Sequence, residues 1–184
     1  MQPLGRCTEM VVYRLPTREA KYMYNPVMDV IRSFPGFQDV IVLKGVDDPL
    51  LVTELIVWES LERALQAAEM FFQHQEALDF MNQIDIVFFG HYEALPLAAW
   101  DTLQKNHEGS FGVIADMDNG DSSDAAATSE PILTQIINCV HRSADRTWKT
   151  PEKVQLVAWK SKQAEMESRS SSLVCDRFFM KSDP

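Results

Sequence analysis

The stretch that decides the fold is Leu55–Leu65, LIVWESLERAL. Its first four residues are apolar at both alternating positions of a strand, and the chain then enters a helical pattern. Ser60 stands where a helix cap belongs, and Glu62 lies in the first turn, near the positive end of the helix dipole. Apolar residues then recur at helical spacing: Leu61, Ala64, Leu65, Ala68, Phe71 and Phe72. A strand that passes directly into an amphipathic helix is predicted here.

The same kind of reading extends to both sides of this stretch. Apolar, β-branched runs predict strands over residues 10–15, 40–43, 50–58 and 84–92. A helix is predicted over 17–33, with its main part starting at Asn25-Pro26, because Asn caps a helix well and Pro fits its first turn. After the helix that follows Ser60, a short helical turn is predicted over 76–83. The order βαββαβ is that of a ferredoxin-like antiparallel sheet, an α+β fold.

All four predicted strands are apolar on both faces. Two helices cover only one face of such a sheet, and a wet second face would carry polar residues at alternate positions. Instead, large apolar residues occupy both alternating sets of strand positions. Examples are the pairs Val11-Val12, Ile41-Val42, Ile56-Val57 and Phe88-Phe89. Because large apolar patches mark interfaces, we expect a second copy of the sheet to cover the open face, which predicts a homodimer. The alternative is that residues 131–184 fold back as the cover.

Charge divides the chain into three segments. Residues 1–108, the ferredoxin-like domain, carry 8 basic and 16 acidic residues. Residues 109–130 carry five acids and no base, and their small polar composition predicts a linker or mobile loop. Residues 131–184 carry 9 bases against 6 acids and contain three apolar runs, at 131–141, 153–161 and 172–180. They are expected to form a β-rich C-terminal extension, either a degenerate second half of the same fold or an arm added to the sheet.

Composition and motifs exclude several classes of function. The net charge of −10 argues against a nucleic-acid partner. Three well-separated cysteines fit free thiols in a reducing compartment, and no apolar run reaches the length of a membrane span, so a cytoplasmic protein without a membrane partner is expected. No metal-ligand spacing, glycine-rich phosphate loop or G-x-S-x-G motif is present. The sequence therefore predicts no metal and no cofactor.

Four motifs resemble the dimeric α/β-barrel superfamily, and within it the antibiotic biosynthesis monooxygenase type. They are FPGF (34–37), GVDDP (45–49), VWESLERALQAA (57–68) and IDIVFFGHY (84–92), within a match over about residues 8–95. The resemblance implies a barrel completed by a partner subunit, and a cofactor-independent monooxygenase acting on a small apolar or aromatic metabolite. The superfamily also contains polyketide cyclases, decarboxylases and haem-degrading enzymes. The Asn that haem-degrading members carry on the first strand is absent here, which argues against haem breakdown.

Candidate site residues follow from side-chain chemistry and from the resemblance. His91, on the last strand, is the first candidate for a general base, and His74, in a polar break, is the second, because imidazole exchanges protons near neutral pH. For both, an ordinary structural or surface role is the competing interpretation. The resemblance implies that aromatic side chains with polar tips position the substrate; the candidates are Trp58, Tyr13, Tyr92 and Tyr24.

Two further functions compete with the oxygenase hypothesis. A cyclase or lyase of the same fold would use the same base without oxygen, and a non-catalytic binding or assembly protein would use its apolar sheet for association alone. An enclosed pocket with a buried polar group on the helix side of the sheet would favour an enzyme. A fully packed core there would favour the binding protein.

Overall fold

The computed structural model describes residues 5–17, 24–45, 48, 50–105, 110–116, 133–141, 150–159 and 176–182. The elements run in the order β1 (Cys7–Arg14), α1 (Tyr24–Ser33), β2 (Phe37–Gly45), β3 (Leu51–Trp58), α2 (Leu61–Phe71), α3 (Gln75–Met81), β4 (Asp85–Glu93), α4 (Leu97–Lys105), β5 (Ser110–Asp116), β6 (Leu133–His141), β7 (Lys153–Trp159) and β8 (Asp176–Ser182).

The α+β class and the βαββαβ order of the first half are confirmed. Helix α2 starts as its sequence predicts, because the Ser60 hydroxyl accepts a hydrogen bond from the Arg63 backbone N–H at 3.2 Å. The turn between α1 and β2 needs a glycine, since Gly36 has φ of 89° and an added Cβ would lie 2.6 Å from the Arg63 side chain. The Gly36 carbonyl accepts from the Glu59 N–H at 2.7 Å and so ties this turn to the junction between β3 and α2.

Two sheets with the same strand order close into one barrel. The first sheet has the order β4-β1-β3-β2, and the second has the order β8-β5-β7-β6. If β5 to β8 are numbered as a second β1 to β4, the two orders are identical, so the second half repeats the topology of the first. Strand β2 pairs with β8 and β4 pairs with β6, which closes an eight-stranded antiparallel barrel within one chain.

The barrel interior explains why the strands are apolar on both faces. Leu43, Leu55 and Phe88 of the first sheet pack there in one cluster with Ile137 and Leu156 of the second sheet. The expectation that a second copy covers this face is therefore wrong, and the alternative of cover by the chain's own C-terminal part is what the structure shows. The sequence revealed the need for a cover, but the strand pairings β2–β8 and β4–β6 decide its source.

The three C-terminal strands lie close to their predicted positions, at Leu133–His141, Lys153–Trp159 and Asp176–Ser182. The apolar residues FGVIA within Ser110–Asp116 form strand β5, which corrects the assignment of these residues to the acidic linker. Residues 117–130, the rest of that predicted linker, lie outside the described residues.

Helix α4 is not predicted by the sequence analysis. Its residues Ala99, Trp100 and Leu103 are buried in the barrel interior, on one helical face. The Trp100 indole N–H donates to Asp39 Oδ2 at 2.9 Å, which joins α4 to β2. Among the described residues, no helix combines the length and the apolar character that a membrane crossing requires.

Candidate active site

A cavity of about 140 Å³ lies on the other face of the first sheet, beneath helices α1, α2 and α3. Strand alternation sends Glu9, Val11 and Tyr13 of β1 to this side, whereas Met10 and Val12 face the barrel interior. Most of the lining is apolar, including residues of α1 and α3 such as Ile31 and Phe80. The cavity is therefore an apolar chamber between sheet and helices, separated from the barrel core by the sheet itself.

Several residues of the cavity lining are partly exposed to solvent. Phe72, which follows α2, is exposed, and its half-buried neighbours in the lining are Ala68 and Phe71 of α2. Met81, at the end of α3, and Ile84, just before β4, are also half-buried lining residues. Partly exposed lining residues are therefore found on α2, at the end of α3 and just before β4.

Two carboxylates line the otherwise apolar chamber. Glu9 on β1 is 9% exposed and Glu54 on β3 is 4% exposed. In the β1–β3 register, Glu9 pairs with Ile56 and Val11 pairs with Glu54, so the two acids are diagonal neighbours on one face. Burial of two acids so close together is costly unless each has specific partners.

The partner of Glu54 is Tyr13, whose hydroxyl donates a hydrogen bond to Oε1 at 2.5 Å. Burial raises the pKa of Glu54 from 4.5 to about 7; the Tyr13 hydrogen bond opposes this shift and the negative charge of Glu9 adds to it. The second oxygen of Glu54, Oε2, has no hydrogen-bond partner among the described residues. Glu54 can therefore exchange a proton near neutral pH through an oxygen that the protein leaves free.

Two nitrogen atoms lie close to the carboxylate of Glu9. The Trp58 indole N–H donates to its Oε2 at 3.2 Å. The Nε2 atom of His91 lies 3.2 Å from the same oxygen, but the angles of this contact fall outside hydrogen-bond geometry, so we treat it as an electrostatic contact that depends on protonation of the imidazole. Through this carboxylate, His91 is connected to the cavity without lining it.

His91 is almost fully buried and lies at the seam between the two sheets. Its ring meets that of His141 on β6 edge-to-face, with 5.7 Å between centroids, and the two residues pair in the β4–β6 register. Burial lowers the pKa of His141, and the nearby His91 lowers it further. Within the described part of the chain, the Nδ1 atoms of both imidazoles lack hydrogen-bond partners.

The structure brings only some of the sequence candidates together. Trp58 and Tyr13 line the cavity, and His91 contacts it through Glu9. His74 precedes α3 and packs against Phe34 at 5.6 Å between centroids, and it is not a lining residue.

Two aromatic candidates lie elsewhere. Tyr92 faces the barrel interior, on the opposite side of the sheet, where its hydroxyl donates to the Pro151 carbonyl at 3.3 Å. Tyr24 is the first residue of α1, and its side chain lies outside the described part of the structure.

Sequence reasoning missed Glu9 and Glu54, although a signal was present. Each is the single acidic residue inside a strand of otherwise mostly apolar residues, CTEMVVYR and LLVTELIVW. Each also shares strand parity with a candidate aromatic, Glu9 with Tyr13 and Glu54 with Trp58. A charged residue at a strand position that is predicted to be buried is the pattern that should have drawn attention to them.

Cys7, two residues before Glu9, does not supply a reactive thiolate. Burial raises the pKa of its thiol from 9.0 to about 12, and the charge of Glu9 contributes to the shift. Since the thiolate is the nucleophilic form, Cys7 is an inert core residue at neutral pH.

No protein-family model and no curated protein matches this chain, but solved structures do. An anthrone oxidase-like protein aligns with 98% of this chain and 92% of its own, at 12% identity and a TM-score of 0.63. A mutant chlorite dismutase from Candidatus Nitrospira defluvii aligns with 100% of this chain and 93% of its own, at 8% identity and a TM-score of 0.57. SnoaB, a cofactor-independent oxygenase from Streptomyces nogalater, aligns with 50% of this chain and 95% of its own, at 14% identity and a TM-score of 0.45.

At these identities the likeness is one of fold. The chain has the fold of the dimeric α/β-barrel superfamily, as its sequence motifs implied. The first two structures align with nearly all of this chain, including the second sheet. Shared fold does not fix shared chemistry, so the function has to be argued from the cavity and its two carboxylates.

Proposed function

We propose that this protein is an enzyme that binds a small, largely apolar aromatic metabolite in the helix-side cavity and uses Glu54 to remove a proton from it, in the manner of a cofactor-independent monooxygenase. One observation carries the proposal: a buried carboxylate whose pKa is raised to about 7 lines a chamber with apolar walls. Perturbed carboxylates in a cleft are typical of catalytic sites.

The geometry around Glu54 suits a general base. Tyr13 fixes one carboxylate oxygen, which leaves the other to accept the proton of a bound molecule. A base works best when its pKa lies near the working pH, and such proton transfer contributes roughly 10²- to 10⁴-fold to a rate. Glu54 therefore takes the role for which the sequence analysis considered His91 and His74.

The apolar walls support the second step. Removal of a proton from an activated CH₂ group leaves an electron-rich anion, and O₂ is the co-substrate that oxidises it. One oxygen atom becomes the carbonyl oxygen of the product, and the other leaves as water with the two hydrogens of the CH₂ group, so the reaction balances without a further reductant. Exclusion of bulk water by the walls protects the reactive anion.

Glu9, Trp58 and His91 support this chemistry from one side of the cavity. The Trp58 indole donates to the Glu9 carboxylate at 3.2 Å, and His91 Nε2, which does not line the cavity, lies at the same distance from the same oxygen. In this proposal His91 acts on Glu9 and not on the substrate. Its replacement by alanine should lower turnover less than Glu54→Gln does; an equal or larger loss would return His91 to the role of base.

The experiment is an oxygen-uptake and mass-spectrometry screen of the purified protein with aromatic carbon acids and a metabolite extract, without added metal or flavin. Wild-type protein should consume O₂ with one substrate class, and Glu54→Gln should turn over about 10²- to 10⁴-fold more slowly. Glu62→Gln, which neutralises an exposed acid of α2, is the control and should keep full activity.

The same screen separates the competing functions. Product formation that proceeds equally well under nitrogen would identify a cyclase or lyase. Retention of a compound without turnover would identify a binding protein. Full activity of Glu54→Gln would overturn the assignment of the base. A second copy at the inner sheet face has no place in the proposal, because the chain's own second sheet fills that position.

A further inference from the structure

The charge balance of the cavity is one-sided. Glu9 and Glu54 both line it, and among its described lining residues there is no lysine or arginine. The imidazole of His91, which is not a lining residue, lies 3.2 Å from Glu9 Oε2. A molecule bound in this chamber therefore meets negative charge without a matching positive group from the protein.

Negative charge in an apolar chamber has to be offset. A buried carboxylate is stabilised either by taking up a proton or by pairing with a cation. Glu54 takes the first route, because burial raises its pKa to about 7. The second route is open to a ligand that brings its own positive charge.

The free oxygens are placed to receive such a ligand. Tyr13 occupies Oε1 of Glu54, and Trp58 and His91 contact Oε2 of Glu9. The other oxygen of each carboxylate has no hydrogen-bond partner among the described residues. Diagonal neighbours on antiparallel strands lie roughly 7–8 Å apart, a separation that an ammonium group with its three N–H donors can bridge.

The walls point to an aromatic cation of limited size. The side chains of Phe71, Phe80 and Phe89 line the chamber together with Tyr13 and Trp58. Aromatic faces attract cations and also pack against aromatic rings. The volume of about 140 Å³ is close to that of an engineered apolar cavity, about 150 Å³, that binds benzene, so the chamber holds one ring.

We propose that the ligand of this cavity is a one-ring aromatic amine, bound as its ammonium ion by Glu9 and Glu54 with its ring against the aromatic walls. The inference rests on the proposed function in taking this cavity as the substrate site, and it adds the charge of the substrate. An arriving ammonium group favours the ionised form of Glu54, which is the form that accepts a proton, and lowers the pKa of this carboxyl toward its ordinary value. Aromatic acids and phosphates are excluded by repulsion from the two carboxylates.

The test uses four probes of nearly equal size that differ in one group: benzylamine, benzyl alcohol, toluene and benzoate. Binding to the full chain is measured by isothermal titration calorimetry at pH 8, where benzylamine is mainly cationic and Glu54 is mainly ionised. Benzylamine should bind at least about tenfold more tightly than benzyl alcohol, and benzoate should show no binding. At pH 5.5 the preference for benzylamine should shrink, because Glu54 is then protonated.

Variants assign the effect to the two acids. Glu9→Gln and Glu54→Gln should each weaken benzylamine about tenfold and leave toluene within about twofold. Ala67→Leu and Ala68→Leu, which add bulk to the cavity wall from α2, should abolish binding of every probe. Benzylamine binding that survives in both filled variants, with unchanged melting temperatures, would place it outside the cavity and overturn the inference.

The outcomes separate this inference from the proposed function. If benzyl alcohol or toluene binds as tightly as benzylamine, the ligand is neutral and the inference fails, while the cavity remains a substrate site. If no probe binds, including toluene, the cavity does not accept a ring and the proposed function fails with it.

Discussion

The two faces of the first sheet make an instructive comparison, because the same strands build both. On the barrel face, residues such as Met10, Leu55 and Phe88 pack into a core filled by the second sheet and α4. On the helix face, the strand neighbours Glu9, Glu54 and Phe89 line a cavity. Adjacent residues of one strand thus face a filled core on one side of the sheet and a cavity lined by two carboxylates on the other.

The buried polar residues of the first sheet divide between the faces in the same way. Thr8 belongs to the barrel side, and its neutral hydroxyl accepts from the Leu95 N–H at 3.2 Å. The buried ionisable groups Glu9, Glu54 and His91 alternate with the barrel-side residues and form the polar network of the helix face. Because burial of charge lowers stability, its concentration on one face supports the proposal that the substrate site lies on this face.

The largest effect is expected when the cover of the barrel face is removed. Truncation after residue 108 deletes β5 to β8 and exposes Leu43, Leu55 and Phe88 to water. We expect the fragment to aggregate or to lose its cooperative unfolding, which light scattering and thermal melts measure. A monomeric fragment with the melting temperature of the full chain would contradict the assignment of the second sheet as the cover.

A smaller and better matched comparison uses two adjacent phenylalanines of β4. Phe88 is fully buried in the barrel core, whereas Phe89 is half-buried and lines the cavity. Phe88→Ala should lower the free energy of unfolding by about 3–5 kcal/mol, because the surrounding core cannot collapse into the space. Phe89→Ala should cost less than half as much, because its ring already borders an unfilled chamber.

Urea denaturation of the two variants in parallel measures this difference. Equal losses for both would mean that the helix face is packed as tightly as the barrel face, against the presence of the chamber.

The third prediction concerns the pH dependence of stability through Glu54. Its pKa is about 7 in the folded protein, against an ordinary value of 4.5. Between these values the folded chain holds one more proton than the unfolded chain, so this contribution to stability is present below pH 4.5 and is lost as pH rises through 7. Between pH 4.5 and 8 the wild type should therefore lose about 3 kcal/mol of stability relative to Glu54→Gln.

Parallel urea titrations of wild type and Glu54→Gln between pH 4.5 and 8 check this sign, since most other titrations cancel in the difference. The variant should become the more stable protein progressively from pH 4.5 to 8. A constant difference across this range would mean that Glu54 titrates normally and is not the poised base.

Much of the architecture was predictable because local signals agreed with it. The junction at Ser60, the helix start at Asn25-Pro26 and the three C-terminal strands lie close to their predicted places. The prediction missed α4, whose apolar residues are explained only by the barrel core that they join, and it placed the short strand β5 in the linker because acidic, small residues follow it directly in the sequence. The candidate site was predicted in part: Trp58 and Tyr13 line the cavity, but the two acids between them in space were not recognised.

By itself the sequence determined that four strands would be covered on both faces, since alternation of apolar residues is a local property that each strand carries alone. Only the tertiary structure decided what provides the cover and where the acids meet. Pairing of β2 with β8 and of β4 with β6 replaces the expected second copy by the chain's own second sheet. The register of β1 with β3 sets Glu9 beside Glu54, two residues 45 positions apart in the chain, in a chamber that neither strand could form alone.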